Sequence, residues 1–401
     1  MNVVVVGSGL AGTMAAKALR ELSPDTRIVV LGEERHPYYP RPNLIEFLAG
    51  RMPEDRLFAF PGGWAEKQGI ELRTGDAVAR ILPAERRVET ASGAAHAYDA
   101  LLLATGARAA LPPVAGSGLE GVFVLRTLDD ARAILDRLRS RGRVAVLGGG
   151  LLGLEIARAV RGRAAEVHVV EFFDRLLPRQ LDPEAAAILK AQIERAGISV
   201  RLGAVAREIA GAGEVRGLRF ESGDGIETDT VIVAAGVRPE CGLAAGAGVA
   251  VGKGILVDDR LRTSVPGVFA AGDAAEHRGR VYGIIPAAFE QARAAAQNIL
   301  GRDLPYAGTV PSTTLKIAGL AVTSVGDFEG RGPGFESVVK AVPEEGLYKK
   351  IVLREGRAVG AIWMGTRKGA VEVGRLVAAG KDVGGRREAL LEESFDFAEI
   401  P

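Results

Sequence analysis

The sequence predicts an α/β protein with two three-layer dinucleotide-binding domains and a small C-terminal α+β domain. Two segments, 2–34 and 144–171, each read as strand, glycine turn, helix, strand and acidic residue. Each segment is followed by a run of short strands and a strand that closes in a small-residue turn, which indicates duplication at domain scale. From residue 309 the composition changes, and strands followed by helices indicate an α+β domain.

Composition bounds the function. The chain has 401 residues, a length typical of two or three domains, and a net charge of +1. This balance gives no global electrostatic case for binding nucleic acid or a membrane surface. A strand begins at residue 2, and no apolar run approaches the roughly 18 residues of a membrane span. We therefore expect a cytoplasmic protein without signal peptide or membrane span.

The single cysteine, Cys241, excludes an internal disulfide, a CxxC pair and a cysteine-based metal cluster. There are four histidines, and none has the i,i+4 spacing of a zinc site. We expect no metal.

The second fingerprint, 144–171, has a physical reason for each part. Gly148 permits the tight turn, Gly150 lets the backbone approach a pyrophosphate, and Gly153 lets helix and strand pack closely. The helix N-terminus presents N–H groups to phosphates. Glu171 stands where a carboxylate would bind two ribose hydroxyls and repel a 2′-phosphate. The alternative is an ordinary strand, turn and helix without ligand.

The first fingerprint repeats this plan with Gly7, Gly9 and Gly12. A helix is predicted at 13–22 and a strand at 28–31, and Glu33 and Glu34 follow about 20 residues after the last glycine. Two such units in one chain predict two bound dinucleotides.

Residues 36–52 begin as a rigid loop, because three prolines prevent a regular helix there. The loop continues into an amphipathic helix. Arg41 is the one basic group in the loop. It could face a phosphate or a flavin edge, and it could equally be a solvated loop arginine.

The remaining elements follow from hydrophobic periodicity. Predicted strands are 70–72, 77–81, 87–90, 98–104, 198–201, 217–220, 228–234 and 268–271, and predicted helices are 128–139, 183–196 and 286–300. The last of these strands ends in Gly272-Asp273, where a carboxylate could accept hydrogen bonds from a cofactor's polyol. Asp273 could equally be a helix N-cap or a turn former.

The C-terminal domain is predicted to contain strands at 315–325, 348–353 and 358–363. Helices are predicted at 371–379 and 387–393. The tail from residue 394 shows no periodicity, and we expect it to be loose.

The two fingerprints, the ATG-type turns after each meander and the late TSVPGVFAAGD together resemble the two-dinucleotide flavoprotein reductases. This resemblance implies the glutathione-reductase-like fold with Rossmann-like domains, FAD on the first fingerprint and NADH on the second. It also implies a discontinuous FAD-binding domain, residues 1–108 and 237–306, an NADH-binding domain, 109–236, and a small domain, 307–401.

The resemblance also implies site residues. Gly7 to Gly12 would wrap the FAD pyrophosphate, Glu33 would bind the ribose, Val78 would meet the adenine and Asp273 the ribityl chain. Glu155 lies where family members place a carboxylate beside the nicotinamide and flavin. The implied cofactor-binding set is Gly7, Ser8, Gly9, Ala11, Gly12, Glu33, Glu34, Arg41, Val78, Ala104, Thr105, Gly106, Arg108, Gly148, Gly150, Leu152, Gly153, Glu155, Glu171, Gly236, Gly272, Asp273, Ile285 and Lys316.

Subgroups of the superfamily differ in how electrons leave. The cysteine pair and His–Glu dyad of the disulfide reductases have no counterpart here, nor has the single cysteine of the NADH oxidases and peroxidases. YYPRPNLIEFLAG, GGGLLGLEIA and PSTTLKIAGLAVTSVGD are particularly similar to NADH:rubredoxin oxidoreductase and to the flavin portion of assimilatory nitrite reductase. In that group a lysine at the position of Lys316 lies near the flavin, so the implied catalytic residues are Glu155, Lys316 and Arg41.

We therefore predict an FAD-dependent NADH reductase that passes electrons to a small carrier protein such as rubredoxin, as a monomer or homodimer. The absence of an arginine directly after Glu171, where Phe172 and Phe173 stand, favours NADH over NADPH, although Arg175 lies nearby. Cys241 is predicted to be structural. The alternatives are a reductase for oxygen, quinone or a nitrite-reducing partner, and a flavoprotein that senses NADH.

Overall fold

The computed structural model describes residues 1–140, 142–309, 312–317, 319–397 and 400, without the side chains of 312–317. By its internal contacts the chain forms two compact units. Unit 1 comprises Met1–Arg108 and Val237–Thr309, and unit 2 comprises Ala109–Gly236 and Val310–Pro401. The predicted division into three domains stays a prediction.

Strand–helix–strand units alternate with runs of consecutive strands along the chain. The first segment contains β1 (Asn2–Val6), α1 (Leu10–Leu22), β2 (Arg27–Gly32), α2 (Asn43–Leu48), α3 (Trp64–Lys67), β3 (Ile70–Thr74), β4 (Val78–Leu82), β5 (Arg87–Thr90), β6 (Ala95–Ala97), β7 (Ala100–Leu103) and β8 (Ala107–Ala109). The second contains β9 (Val122–Val124), α4 (Leu128–Leu138), β10 (Arg143–Leu147), α5 (Leu151–Arg161), β11 (Glu166–Val170), α6 (Pro183–Arg195), β12 (Ser199–Arg201), β13 (Ala206–Ala212), β14 (Glu214–Phe220), β15 (Gly225–Glu227) and β16 (Thr230–Val233). The third contains β17 (Val237–Pro239), α7 (Gly242–Gly246), β18 (Ile255–Val257), β19 (Val268–Ala270), β20 (Ala275–His277) and α8 (Ile285–Ile299). The last contains β21 (Ser312–Ile317), β22 (Leu320–Gly326), β23 (Phe335–Val342), β24 (Leu347–Arg354), β25 (Arg357–Met364) and α9 (Ala370–Ala379).

Unit 1 is built on a parallel sheet with strand order β19-β7-β1-β2-β3. Successive side chains of a strand point to opposite faces. Val3 and Val5 therefore lie in a core with α1 and α8, whereas Val4 and Val6 lie in a second core with the meander β4-β5-β6. Residues 3–6 of this strand, all valines, are thus buried on both faces, and the predicted three-layer α/β fold is confirmed.

The nucleotide-binding part of unit 2 repeats the plan. Its parallel sheet has the order β12-β11-β10-β16-β9, and the meander β13-β14-β15 accompanies it. Ala145 and Leu147 of β10 share a core with Ile209 and Leu218 of the meander. Val144 and Val146, which alternate with them along the strand, are also fully buried.

The C-terminal part of unit 2 is an antiparallel sheet with the order β21-β22-β25-β24-β23. Ile351 and Trp363 of this sheet form a core with Val373 and Leu376 of α9. This is the predicted small α+β domain.

A buried polar cluster links α6 to this C-terminal sheet. Asp182, the N-cap of α6, accepts a hydrogen bond from the Ala185 N–H at 3.0 Å. Its Oδ2 also accepts from the Tyr348 hydroxyl at 2.7 Å and the Lys350 ammonium at 2.9 Å. Burial by itself would raise the pKa of Asp182, but these three donors lower it. The cluster is charged, paired and shielded from water.

Three predictions for the C-terminal segment were wrong. The predicted strand 315–325 is two antiparallel strands, β21 and β22, with Gly319 at a φ of +89° between them. The predicted helix 387–393 contains only one short 3-10 turn, Ala389–Leu391, and the carbonyl of Leu391 accepts a hydrogen bond from the buried Lys349 instead of continuing a helix. In its described residues the tail is not loose, because Phe395 and Phe397 pack against the core of the C-terminal domain.

Candidate functional site

The glycines of the first fingerprint separate into two kinds. A Cβ on Gly7, whose φ is +111°, would lie 2.1 Å from the Ala104 carbonyl oxygen, and one on Gly12 would lie 1.9 Å from the Gly7 oxygen. Packing therefore requires these two glycines. A Cβ on Gly9 would meet no described heavy atom within 4 Å, and the φ of Gly9 is an ordinary −75°. Nothing described in the protein requires glycine there, so the open space fits a ligand that approaches the backbone.

The second fingerprint shows the same separation. A Cβ on Gly148 would lie 2.5 Å from the Ala234 oxygen, and one on Gly153 would lie 1.9 Å from the Gly148 oxygen. Gly150, directly before α5, again meets no heavy atom of the described chain within 4 Å. Both turns therefore leave room at a helix N-terminus, the position at which a pyrophosphate binds.

Glu171 follows β11 and is only 6% exposed. Its Oε2 accepts a hydrogen bond from the Gly149 N–H, and its Oε1 accepts one from the Phe173 N–H at 2.9 Å. Each oxygen keeps a further lone pair for a ribose hydroxyl. Gly149 was not singled out from the sequence, and a Cβ there would lie 2.6 Å from Leu176 Cδ2 and 3.0 Å from the Glu171 Cβ, so a side chain would disturb the position of this carboxylate.

Arg175 comes four residues after Glu171 and forms ion pairs with other carboxylates. Its guanidinium contacts Asp174 at 3.2 Å and Glu329 at 3.7 Å. Two carboxylates thus already occupy the basic group that a 2′-phosphate would need.

Glu33 and Glu34, the acidic residues after β2, have different surroundings. Glu34 forms a bidentate ion pair with Arg41, and the Tyr39 hydroxyl donates a hydrogen bond to it. Burial alone would raise the pKa of Glu34, but Arg41 and Tyr39 lower it. Glu33 is exposed, and its carboxylate lies 3.6 Å from the Arg108 guanidinium. Glu33 is therefore the better placed of the two for a ribose.

Arg41 is half-buried and pairs with Glu34. The structure therefore shows Arg41 neither as a solvated loop arginine nor as an unpaired guanidinium that faces a phosphate or a flavin edge. The guanidinium is held by a carboxylate, and its contact with a phosphate or flavin stays a prediction.

The turn after β7 contributes further residues to the predicted FAD site. Thr105 donates its hydroxyl hydrogen bond to the Glu240 carbonyl at 2.7 Å, and Arg108 forms an ion pair with the Glu240 carboxylate. Gly106 has a φ of +71°. Arg108 thus connects Glu240 with Glu33 across the end of the sheet.

Gly272 and Asp273 lie in a 3-10 turn directly after β19. Gly272 has a φ of +82°, and its Cβ would lie 2.8 Å from that of Ala11. Its N–H donates to Gln291 Oε1 at 2.8 Å, and Gln291 is 1% exposed. Asp273 is not the N-cap of α8, which is Ile284. Sequence reasoning missed Gln291, because a polar residue inside an alanine-rich helix carries no fingerprint.

The other predicted site residues occupy defined positions, and their roles stay predictions. Val78 begins β4, Ile285 begins α8, and Gly236 has a φ of +99°. Leu152 and Glu155 lie half-buried on α5, while Ser8 accepts a hydrogen bond from the Thr13 hydroxyl at its carbonyl. Lys316 lies on β21 opposite Ala321, and its side chain is outside the described residues.

Cys241 is half-buried at the start of α7. Burial raises the pKa of its thiol, and the carboxylates of Glu240 and Glu276 raise it further. A thiol with a raised pKa is a poor nucleophile, which supports a structural role.

Comparison with known proteins identifies the family to which the chain belongs. Residues 1–298 match the family described as pyridine nucleotide-disulphide oxidoreductase, and residues 311–381 match the rubredoxin NAD+ reductase C-terminal domain. The chain belongs to the pyridine nucleotide-disulphide oxidoreductase family.

Its relatives include the NAD(P)H nitrite reductase of Bacillus subtilis, 36% identical over 91% of this chain, of which the chain spans only 45%. The chain spans less than half of the first curated relatives that it matches. The NADH-rubredoxin oxidoreductase of Clostridium acetobutylicum is 30% identical over 91% of this chain and 93% of its own length. The reductase in a covalent putidaredoxin reductase–putidaredoxin complex shares the fold with a TM-score of 0.89 and 28% identity, over 100% of this chain and 97% of that one.

Family membership confirms the predicted class, a flavoprotein oxidoreductase with FAD and NADH as its cofactors. The open space at Gly9 and Gly150 and the anchored Glu171 fit two dinucleotides. In the described part of the chain, no group of three or more His, Cys, Asp or Glu side chains is arranged to hold a metal. No described helix is both long and apolar enough to cross a membrane.

Proposed function

We propose that this family member is an FAD-dependent NADH reductase that delivers electrons to a small iron-containing carrier protein of the rubredoxin or ferredoxin type. The observation that carries the proposal is the C-terminal domain. It matches the rubredoxin NAD+ reductase C-terminal domain over residues 311–381, in a chain with one cysteine and therefore no redox disulfide.

The NADH site is assigned to the second fingerprint. The first turn of α5 would hold the pyrophosphate through its N–H groups, because no described side chain occupies the space beside Gly150. Glu171 would accept both adenosine ribose hydroxyls from a position held by the Gly149 and Phe173 N–H groups. Its charge would repel a 2′-phosphate, which favours NADH over NADPH.

The FAD site is assigned to unit 1. The N-terminus of α1 beside Gly9 would hold the pyrophosphate, Glu33 the ribose and Asp273 the ribityl chain. Arg108, which would line the FAD phosphates, is held in place by its ion pair with Glu240. When bound, FAD supplies the conversion between the two-electron chemistry of NADH and the one-electron chemistry of a carrier protein.

Three side chains are proposed to act near the reacting rings. Glu155 would orient the nicotinamide, Lys316 would supply positive charge beside the flavin, and Arg41 would keep the proline-rich loop in place through Glu34. We assign Cys241 no part in electron transfer, because it is half-buried and burial raises the pKa of its thiol.

A second candidate is electron delivery to a nitrite-reducing partner. It rests on the 36% identity with the Bacillus subtilis nitrite reductase over 91% of this chain. In that case the acceptor would be another redox domain rather than a free carrier.

The test is an anaerobic half-reaction experiment. The FAD-loaded protein is reduced with one equivalent of NADH and mixed with rubredoxin, ferredoxin, a quinone or oxygen, while flavin absorbance is followed. We expect reoxidation by an iron-containing carrier to be at least ten times faster than by oxygen or quinone. Faster reoxidation by oxygen or quinone would contradict the proposal, and a protein that takes up no FAD would contradict every flavoprotein alternative.

A further inference from the structure

Unit 1 contains a cavity of about 590 Å³ that lies outside the predicted cofactor-binding set. Its aliphatic floor includes Val30 of β2 and Leu72 of β3, and Thr13 and Ala16 of α1 form one wall. None of the described residues that line it is among the residues assigned to FAD. The volume lies within the range of roughly 300–1,000 Å³ that small-molecule sites occupy.

The opposite wall of the cavity is aromatic. The rings of Phe60 and Trp64 are stacked, with centroids 4.1 Å apart and an interplanar angle of 13°. The ring centroids of Tyr38 and Phe60 are 6.5 Å apart, and Phe58 also lines the cavity. The wall is held in place because the Ala59 N–H donates to the Tyr38 carbonyl at 3.1 Å. Half-buried stacked rings of this kind present a ready face to another flat ring.

The charge of the lining restricts the ligand. Asp55 and Glu66 line the cavity, and among its described lining residues there is no lysine or arginine. Burial raises the pKa of the Tyr38 phenol above its usual range. An anion would meet two carboxylates without a compensating cation, whereas a cation would gain both charge attraction and contact with aromatic faces.

We propose that this cavity is a second small-molecule site, which binds a flat aromatic ligand that is cationic or neutral. The two exposed carboxylates of the lining disfavour nucleotides and other phosphorylated molecules. The site is separate from both dinucleotide fingerprints, and its existence does not depend on NADH oxidation.

Three probes of nearly equal shape test the proposal: 10-methylacridinium, which is cationic, acridine, which is neutral at pH 7.5, and acridine-9-carboxylate, which is anionic. Binding to the oxidised, FAD-loaded protein is measured by equilibrium dialysis without NADH. We expect the cation to bind most tightly and the anion at least tenfold more weakly than the cation. Equal or tighter binding of the anion, or no binding of any probe at about 1 mM, would overturn the proposal.

Two variants locate the site. Trp64→Leu removes the stack and should weaken binding of both the cation and the neutral probe roughly five- to tenfold. Asp55→Asn with Glu66→Gln should weaken the cation to a similar extent and leave the neutral probe within about twofold. Unchanged affinities in both variants would show that the probes bind elsewhere.

A matched control is Asp25→Asn with Glu85→Gln, which removes two exposed charges of unit 1 away from the cavity lining. It should leave all three affinities unchanged. If this control loses as much cation binding as the cavity variant, the loss comes from the change in net charge, and the proposed site is wrong. FAD content, read from flavin absorbance, serves as the check that each variant is folded.

Discussion

Replacing Glu171 by glutamine should change the choice between NADH and NADPH. The carboxylate offers two acceptor oxygens, and each already accepts one backbone N–H, from Gly149 and from Phe173. Glutamine keeps one acceptor and turns an NH2 group toward one of these donors. The buried site therefore loses its charge, one backbone hydrogen bond and part of its capacity for ribose hydroxyls.

The magnitude follows from these contacts. A hydrogen bond to a charged group contributes about 1.5–3 kcal/mol, and the loss of one such contact to the ribose lowers kcat/KM for NADH by about 10- to 150-fold. NADPH should lose much less, because the repulsion of its 2′-phosphate by Glu171 disappears as well. The ratio of the two kcat/KM values should fall by at least about tenfold.

The assay is steady-state turnover with ferricyanide as acceptor, over a range of NADH and NADPH concentrations. Glu166→Gln is the matched control, since Glu166 lies at the other end of β11 on the surface and should leave the ratio unchanged. A variant at residue 171 with full FAD content and an unaltered NADH/NADPH ratio would refute the role assigned to this carboxylate.

Three further predictions concern other parts of the molecule. Gly9→Ala should weaken FAD retention at least tenfold with little change in the stability of the apoprotein, whereas Gly12→Ala should destabilise the fold itself, because only the second Cβ meets the backbone; dialysis against FAD-free buffer and urea unfolding measure the two effects. Asp182→Ala should destabilise the protein by about 3–5 kcal/mol, because it leaves the buried Lys350 ammonium without its partner; and since the folded-state pKa of Asp182 is lowered, its contribution to stability should be present above about pH 4 and be lost as the pH falls further. Cys241→Ser should leave NADH-dependent reduction of the carrier within twofold, as measured by carrier absorbance.

The controls for these predictions are built into the chain. Lys190→Met breaks the Lys190–Glu194 ion pair on α6, which is only partly buried, and should cost less than about 0.5 kcal/mol. A similar cost for Asp182→Ala would contradict the importance of the buried cluster. Equal FAD loss in both glycine variants would remove the distinction between packing and ligand, and a carrier reduction that fails in Cys241→Ser would restore a role for the thiol.

The two fingerprints could be predicted because each is contiguous. Glycine spacing, apolar strands and the acidic residue all lie within about 30 residues, and local geometry then follows from backbone sterics. The antiparallel strands of the C-terminal domain were harder to place. The strand β23 had no prediction at all, and the run that became β21 and β22 reads as one strand until its turn is known.

The linear order of residues was sufficient for the fold class, the two dinucleotide units and the family, because short repeated patterns carry them. It was also sufficient to show that no disulfide can form within this chain, since it has a single cysteine. The folded structure was needed to show that Arg41 pairs with Glu34, that Asp182 meets Lys350, and that an aromatic cavity lies beside α1. The contact between Asp182 and Lys350 joins residues far apart in the chain, and all three depend on which side chains the fold brings together, which local periodicity does not encode.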